Sequence, residues 1–94
     1  MSQGRRARTG HVSAHVIVGT SQDSRVGLIV GRNVGNSVQR HRVSRILRHA
    51  MRQALAEIPT HLDIVIRALP GAAAPRADIG TDAVSATLKA VEKL

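Results

Sequence analysis

The chain reads as an α+β domain, a two-layer sandwich of two helices on a sheet in the order β-β-α-β-α. Three observations carry that reading. Apolar residues alternate over 12–18 and 25–31, recur at helical spacing from Val43 to Ile58, and form a short run at 63–67 before a last amphipathic stretch. With 94 residues, a single domain spanning 1–94 is expected.

Residues 1–10, with Gly4-Arg5-Arg6-Ala7-Arg8, are expected to form a flexible basic arm. Val12, Ala14, Val16 and Val18 then share one face of an extended strand, with Ser13 and His15 opposite. Residues 19–24 are turn formers, and Val26, Leu28 and Val30 mark a second strand at 25–31. Two β-branched runs joined by a short polar loop predict a hairpin. Asn33 or Asn36 is suited to cap the following helix, because an Asn side chain accepts from its free N–H groups. Val43, Ile46, Leu47, Ala50, Ala54 and Ile58 form its apolar stripe, and Pro59 stops it. Asp63-Ile64-Val65-Ile66-Arg67 reads as a buried strand, and 69–78, with Pro70, Gly71 and Pro75, as a loop. Thr81 or Asp82 is the expected cap of a last helix striped by Val84, Leu88 and Val91.

The charge is strong and unevenly placed. Lys plus Arg is 14 against 6 acids, a net +8. Residues 1–52 hold ten arginines and one acid, Asp23, whereas 53–94 hold four cations and five acids. Such asymmetry points to a polyanion docking on one half. Twelve of the cations are Arg, whose planar fork suits phosphate. The absence of cysteine excludes a disulfide scaffold, a Cys-based zinc site and a thiol nucleophile. The absence of aromatics removes base-stacking platforms, while 43% hydrophobic residues suffice for an aliphatic core. No stretch approaches the ~18 apolar residues of a membrane span, and no apolar h-region follows Met1. A soluble intracellular domain is expected.

On the central helix the two chemistries separate. At about 100° per residue, Arg45, Arg48 and Arg52 lie roughly 80–140° from Arg40, and Ala50, Val43 and Ala54 roughly 280–320°. No acidic i,i+4 partner accompanies the arginines, so the stripe is not a salt-bridged helix surface. A phosphate backbone would relieve the repulsion. The five histidines have no converging carboxylates, so no metal site is expected. No catalytic residue is assigned to the polypeptide, because nothing resembles a strained nucleophile turn, a Walker loop or a dinucleotide fingerprint.

One segment is more specific. Arg25-Val26-Gly27-Leu28-Ile29-Val30-Gly31-Arg32-Asn33-Val34-Gly35-Asn36-Ser37-Val38-Gln39-Arg40-His41-Arg42-Val43-Ser44-Arg45-Ile46-Leu47-Arg48 resembles the bacterial ribonuclease P protein. That family has a strand ending in Val-Ser-Lys-Lys, then Val-Gly-Asn-Ala-Val and Arg-Asn-Arg. Asp63 to Pro70 resembles its following strand, so the resemblance covers roughly 12–94. The departures are His41 for Asn, Ser44 for Lys, and Arg32-Asn33 for Lys-Lys. Family members begin with a further helix bearing aromatics, and nothing before Gly4 corresponds to it.

The resemblance implies a left-handed βαβ crossover, an exception to the usual hand. It also implies the protein subunit of a ribonucleoprotein that removes the 5′ leader of precursor tRNA. Catalysis would belong to the catalytic RNA subunit, with Mg²⁺ bound mainly by RNA and substrate. Carried over by position, Arg32, Asn36, Arg42 and Arg45 would meet the RNA subunit. Val16, Val18, Arg40 and Arg48 would meet the leader in a cleft between sheet and helix, with Arg52, His41 and Ser44 as further contacts. A monomer in a 1:1 complex with RNA, in the cytoplasm, is the implied state. On charge alone, a non-specific RNA chaperone or a module for an acidic protein partner is the alternative.

Overall fold

A tight reversal at Gly10 begins the departures from the sequence reading. Gly10 adopts φ +57°, a conformation that glycine enters without a Cβ penalty. The two residues Gly10 and His11 therefore close a hairpin between β1 (Arg5–Thr9) and β2 (Val12–Val18). Within the segment expected to be a flexible arm, Arg5–Thr9 is thus an edge strand, and residues 1–3 lie outside the described residues. Its alternation escapes a search for apolar periodicity because only Ala7 among its five residues is apolar. Lys93 Nζ donates to the Arg6 carbonyl at 2.7 Å, and Arg5 Nε to the Lys93 carbonyl at 3.0 Å, tying this strand to the end of the chain.

The computed structural model describes residues 4–20, 22–59 and 61–94. After β2 come β3 (Arg25–Ile29), α1 (Ser37–Ala54), β4 (Leu62–Ala68) and α2 (Ile79–Glu92), giving β-β-β-α-β-α. The sheet runs β1-β2-β4-β3. Strand β4 lies antiparallel to β2 and parallel to β3. The expected hairpin between β2 and β3 therefore does not form, because β4, the more apolar strand, takes the place between them. Ser24 fixes the junction: its Oγ donates to the Pro59 carbonyl at 3.0 Å and accepts from Leu62 N at 3.2 Å.

Both helices cover one face of the sheet. Val12, Ala14, Val16, Ile64 and Ile66 rise from the strands to meet Val43, Leu47 and Met51 of α1. Helix α2 packs through Ile79, Ala83, Ala86, Thr87 and Ala90, while Leu88 is exposed and Val84 and Val91 are half-buried. Small residues let α2 approach closely, so its larger aliphatics are displaced to the rim rather than forming the expected stripe. Thr87 is satisfied within the core, donating to the Ala83 carbonyl at 2.8 Å. Asp78, not Thr81 or Asp82, caps this helix by accepting from Thr81 N at 3.3 Å. No helix among the described residues is long and apolar enough to cross a membrane.

Two stability tests follow. Leu47→Ala, at a fully buried position, should cost about 2–5 kcal/mol in denaturant unfolding. Arg25 donates Nε and a terminal nitrogen to Asp63 at 2.9 and 3.0 Å; these hydrogen bonds hold the Asp63 carboxyl below its ordinary 3.8. The contribution is thus complete above that pH and lost as pH falls through the lower folded value. Both groups are partly exposed, so it is small. Asp63→Asn should flatten this acid-side loss while leaving stability near neutrality almost unchanged.

Candidate nucleic-acid interface

Helix α1 starts at a reciprocal cap. Asn36 Oδ1 accepts from Gln39 N at 2.8 Å, and Gln39 Oε1 accepts from Asn36 N at 2.9 Å. A Cβ at Gly35 would collide with the Gln39 side chain that closes this box. Of the two candidate caps, Asn36 is therefore the one used. Its oxygen is committed to the helix, which leaves the amide –NH₂ for a ligand.

The cap sets the helix phase, and the phase sets what solvent sees. Val43, Leu47, Met51 and Ala54 are buried. Arg45, Arg48, Arg52 and His41 are exposed, and none of these four has a hydrogen bond or ion pair among the described residues. Arg42 is exposed but tethered, donating to the Ala73 carbonyl at 3.3 Å. Arg40 and Ser44 are half-buried, and Arg40 Nε is enclosed without a partner. Arg32 is exposed in the turn before the helix.

Three of the six carboxylates are engaged elsewhere. Asp63 pairs with Arg25, Asp78 caps α2, and Asp82 accepts from His11 N at 3.5 Å. Among the described residues no group of three or more His, Asp or Glu gathers as a metal site. The stripe is therefore a field of uncompensated guanidinium groups on a rigid element, suited to phosphates in series.

Beside the stripe, α1 and the edge strand β3 enclose a groove of about 460 Å³. Val26, Leu28, Met51 and Leu55 line it, with Arg48 and Arg52. It is a cleft between sheet and helix, but its residues are only partly those expected. Val16 is fully buried beneath the helices and has no surface to offer. It faces the core because α2 packs over that side of β2. Val18, 64% exposed, remains available at the end of β2. Arg48 lies at the groove, whereas Arg40 does not line it.

The sequence reading also missed exposed features. Val38, 77% exposed, falls within about 20° of Arg45 around the helix. The sheet face turned away from the helices carries Arg6, Arg8 and Arg67, and no helix among the described residues covers it. Alternation of Arg6 and Arg8 against Ala7 was the available signal.

The ribonuclease P family model matches residues 1–92. The ribonuclease P protein component of a Nocardioides species is 43% identical over 84 residues, covering 85% of this chain and 72% of the relative. That of Kocuria rhizophila is 40% identical over 91 residues, covering 96% and 80%. Among solved structures, the Thermotoga maritima RNase P protein superposes with a TM-score of 0.77 at 20% identity, covering 98% of this chain and 87% of that one. The Staphylococcus aureus protein gives 0.71 at 16% identity, covering 96% and 80%; both likenesses concern the fold. With sequence relatives above the level at which fold and family part company and a family pattern spanning nearly every residue, the chain belongs to the ribonuclease P protein family.

Proposed function

We propose that this chain is the protein subunit of a ribonuclease P ribonucleoprotein, binding its RNA and the 5′ leader of precursor tRNA. The observation that carries the reading is the acid-free face of α1, where Arg45, Arg48 and Arg52 have no partner among the described residues. Arg32, the Asn36 amide, Arg42 and Arg45 would meet the RNA subunit, with Arg52, His41 and Ser44 beside them. Arg48 and Val18 would meet the leader at the groove lined by Val26 and Leu28. With no aromatic ring in the chain, phosphate contacts carry most of the leader affinity.

Among the described residues no three His, Asp or Glu side chains gather into a ligand set for Mg²⁺. The metal is therefore assigned to the RNA and substrate. The protein's part is to neutralise phosphates where ribozyme and substrate approach, and to hold the leader in place. The complex would work in the cytoplasm as one protein per RNA. A non-specific RNA chaperone would use the same stripe; it differs in showing no preference for leader-bearing over mature tRNA.

Reconstitution tests this. Added to a bacterial ribonuclease P RNA with precursor tRNA, the chain should raise the cleavage rate most at limiting Mg²⁺. An unchanged rate across the Mg²⁺ range would overturn the reading. RNA-free protein should cleave nothing.

Substitution resolves the face. Arg45→Ala and Arg42→Ala should each weaken RNA-subunit binding and reduce the salt slope by roughly one unit or less. Arg76→Ala, in the exposed loop before α2, should do little. Equal losses at all three positions would indicate diffuse charge rather than a defined face.

A further inference from the structure

Helix α2 turns its small residues to the core, and this leaves its larger aliphatics on the outer side, only partly covered. Thr81, Val84, Leu88 and Val91 follow one another at alternating steps of three and four residues, the seam spacing of a two-helix pairing. Leu88 is 42% exposed, and Val84 and Val91 are half-buried. Beside the seam, α1 and α2 border a groove of about 760 Å³ whose apolar lining is Ile46, Ala50, Val84 and Leu88. Ile46 falls about 100° around α1 from Arg45, so this groove and the arginine stripe lie on different sides of that helix.

Charge indicates what fits the seam. Along one flank, Asp78 and Asp82 stand at the start of α2 and Lys89 and Lys93 at its end. An antiparallel copy of the same helix reverses this order, so that acids face cations. A register centred between Ser85 and Ala86 brings Asp82 opposite Lys89 and Asp78 opposite Lys93. The same register sets Val84 against Leu88 and Thr81 against Val91, so apolar and charged positions agree on one alignment. Ser85, half-buried at the centre, is small enough for close approach.

The pair that carries the contact is Asp82 with Lys89. Lys89 is exposed and has no hydrogen bond or ion pair among the described residues. Lys93 is already held by the Arg6 carbonyl, and both Asp78 oxygens accept from Thr81. Asp82 accepts from His11 N through Oδ2 and keeps its charge and Oδ1.

We propose that α2 is a homodimer surface. It pairs antiparallel with the α2 of a second copy of this chain about a twofold axis near Ser85, with Asp82 of each copy against Lys89 of the other. The inference does not depend on the ribonuclease P reading and leaves one protein per RNA. The 14-residue helix is about 21 Å long. The contact is therefore small and the dimer weak, with Kd about 10–100 μM. Residues 53–94 hold four cations and five acids, so the half of the chain that forms the contact is nearly neutral.

Sedimentation equilibrium of the RNA-free full chain, from ~5 to ~300 μM, tests this. The unmodified chain should pass from monomer to dimer. Leu88→Glu and Lys89→Glu, both at exposed positions, should each weaken dimerisation about tenfold or more while the circular dichroism spectrum is kept. Lys89→Glu lowers the net positive charge, so diffuse repulsion alone would tighten association; the direction of the change separates a defined pair from bulk charge. Adding Asp82→Asn to Lys89→Glu removes the like-charge contact, keeps an acceptor for His11 N and should recover part of the loss.

The chain has no cysteine, so single cysteines report the alignment. Mild oxidation of Thr81→Cys chains mixed with Glu92→Cys chains should give the mixed disulfide dimer, and neither variant alone should cross-link, because a disulfide needs Cα atoms within about 7 Å. A monomer throughout the concentration range, a dimer indifferent to both Leu88→Glu and Lys89→Glu, or cross-linking of Thr81→Cys with itself in place of the mixed product would each overturn the proposal.

Discussion

Strand β4 lies between β2 and β3, antiparallel to one and parallel to the other, and this pairing dictates the connections around it. A parallel neighbour cannot be reached by a tight turn. The chain must leave β3, travel back along the sheet and re-enter at β4, and α1 is that return path. The helix that carries the arginine stripe is thus held by one end to the edge strand β3 and by the other to its inner neighbour β4. Its inner face closes the core through Val43, Leu47 and Met51, so its outer face cannot rotate without unpacking them.

Rigidity of that kind matters for a polyanion site. Arginine side chains are long and flexible, and they define a geometry only if their backbone is fixed. The reciprocal cap at Asn36 and Gln39 fixes the start of the helix, and packing against α2 and β3 fixes its phase. Three of the six acids are withdrawn into structural work: one pairs across β3 and β4, one caps α2, and one holds the β1–β2 turn. This division leaves the positive potential of the stripe uncompensated, which favours rapid capture of RNA and strong dependence on salt.

The second layer reflects size matching. Small residues at Ala83, Ala86 and Ala90 bring α2 close to the sheet and α1. The cost is that Leu88 stays on the surface. On the other side, no helix among the described residues covers the open sheet face, where the Arg6 and Arg67 side chains have no hydrogen bond or ion pair among those residues. Edge strands rich in charge also resist unwanted pairing, so Arg5, Arg6 and Arg8 protect the sheet while adding to its basic surface.

Much of this was legible in the amino-acid order. A helix starting near Asn36 with Asn33 or Asn36 as its cap, the arginine stripe opposite Val43 and a strand at 63–67 all follow from local spacing and side-chain chemistry. The family resemblance follows from the run between Val26 and Arg42. Periodicity, however, states which residues share a face, not which strand lies alongside. The hairpin expected between β2 and β3 failed for that reason, and β1 was read as an arm because its ladder to β2 is made of backbone groups. Val16 illustrates the same limit: alternation places it on a face with Val18, but packing of α2 over that face buries Val16 and leaves Val18, at the strand's end, exposed. Strand neighbours, the groove beside β3 and the bare basic face opposite arise from contacts between distant segments, and these exist only once the chain has closed on itself.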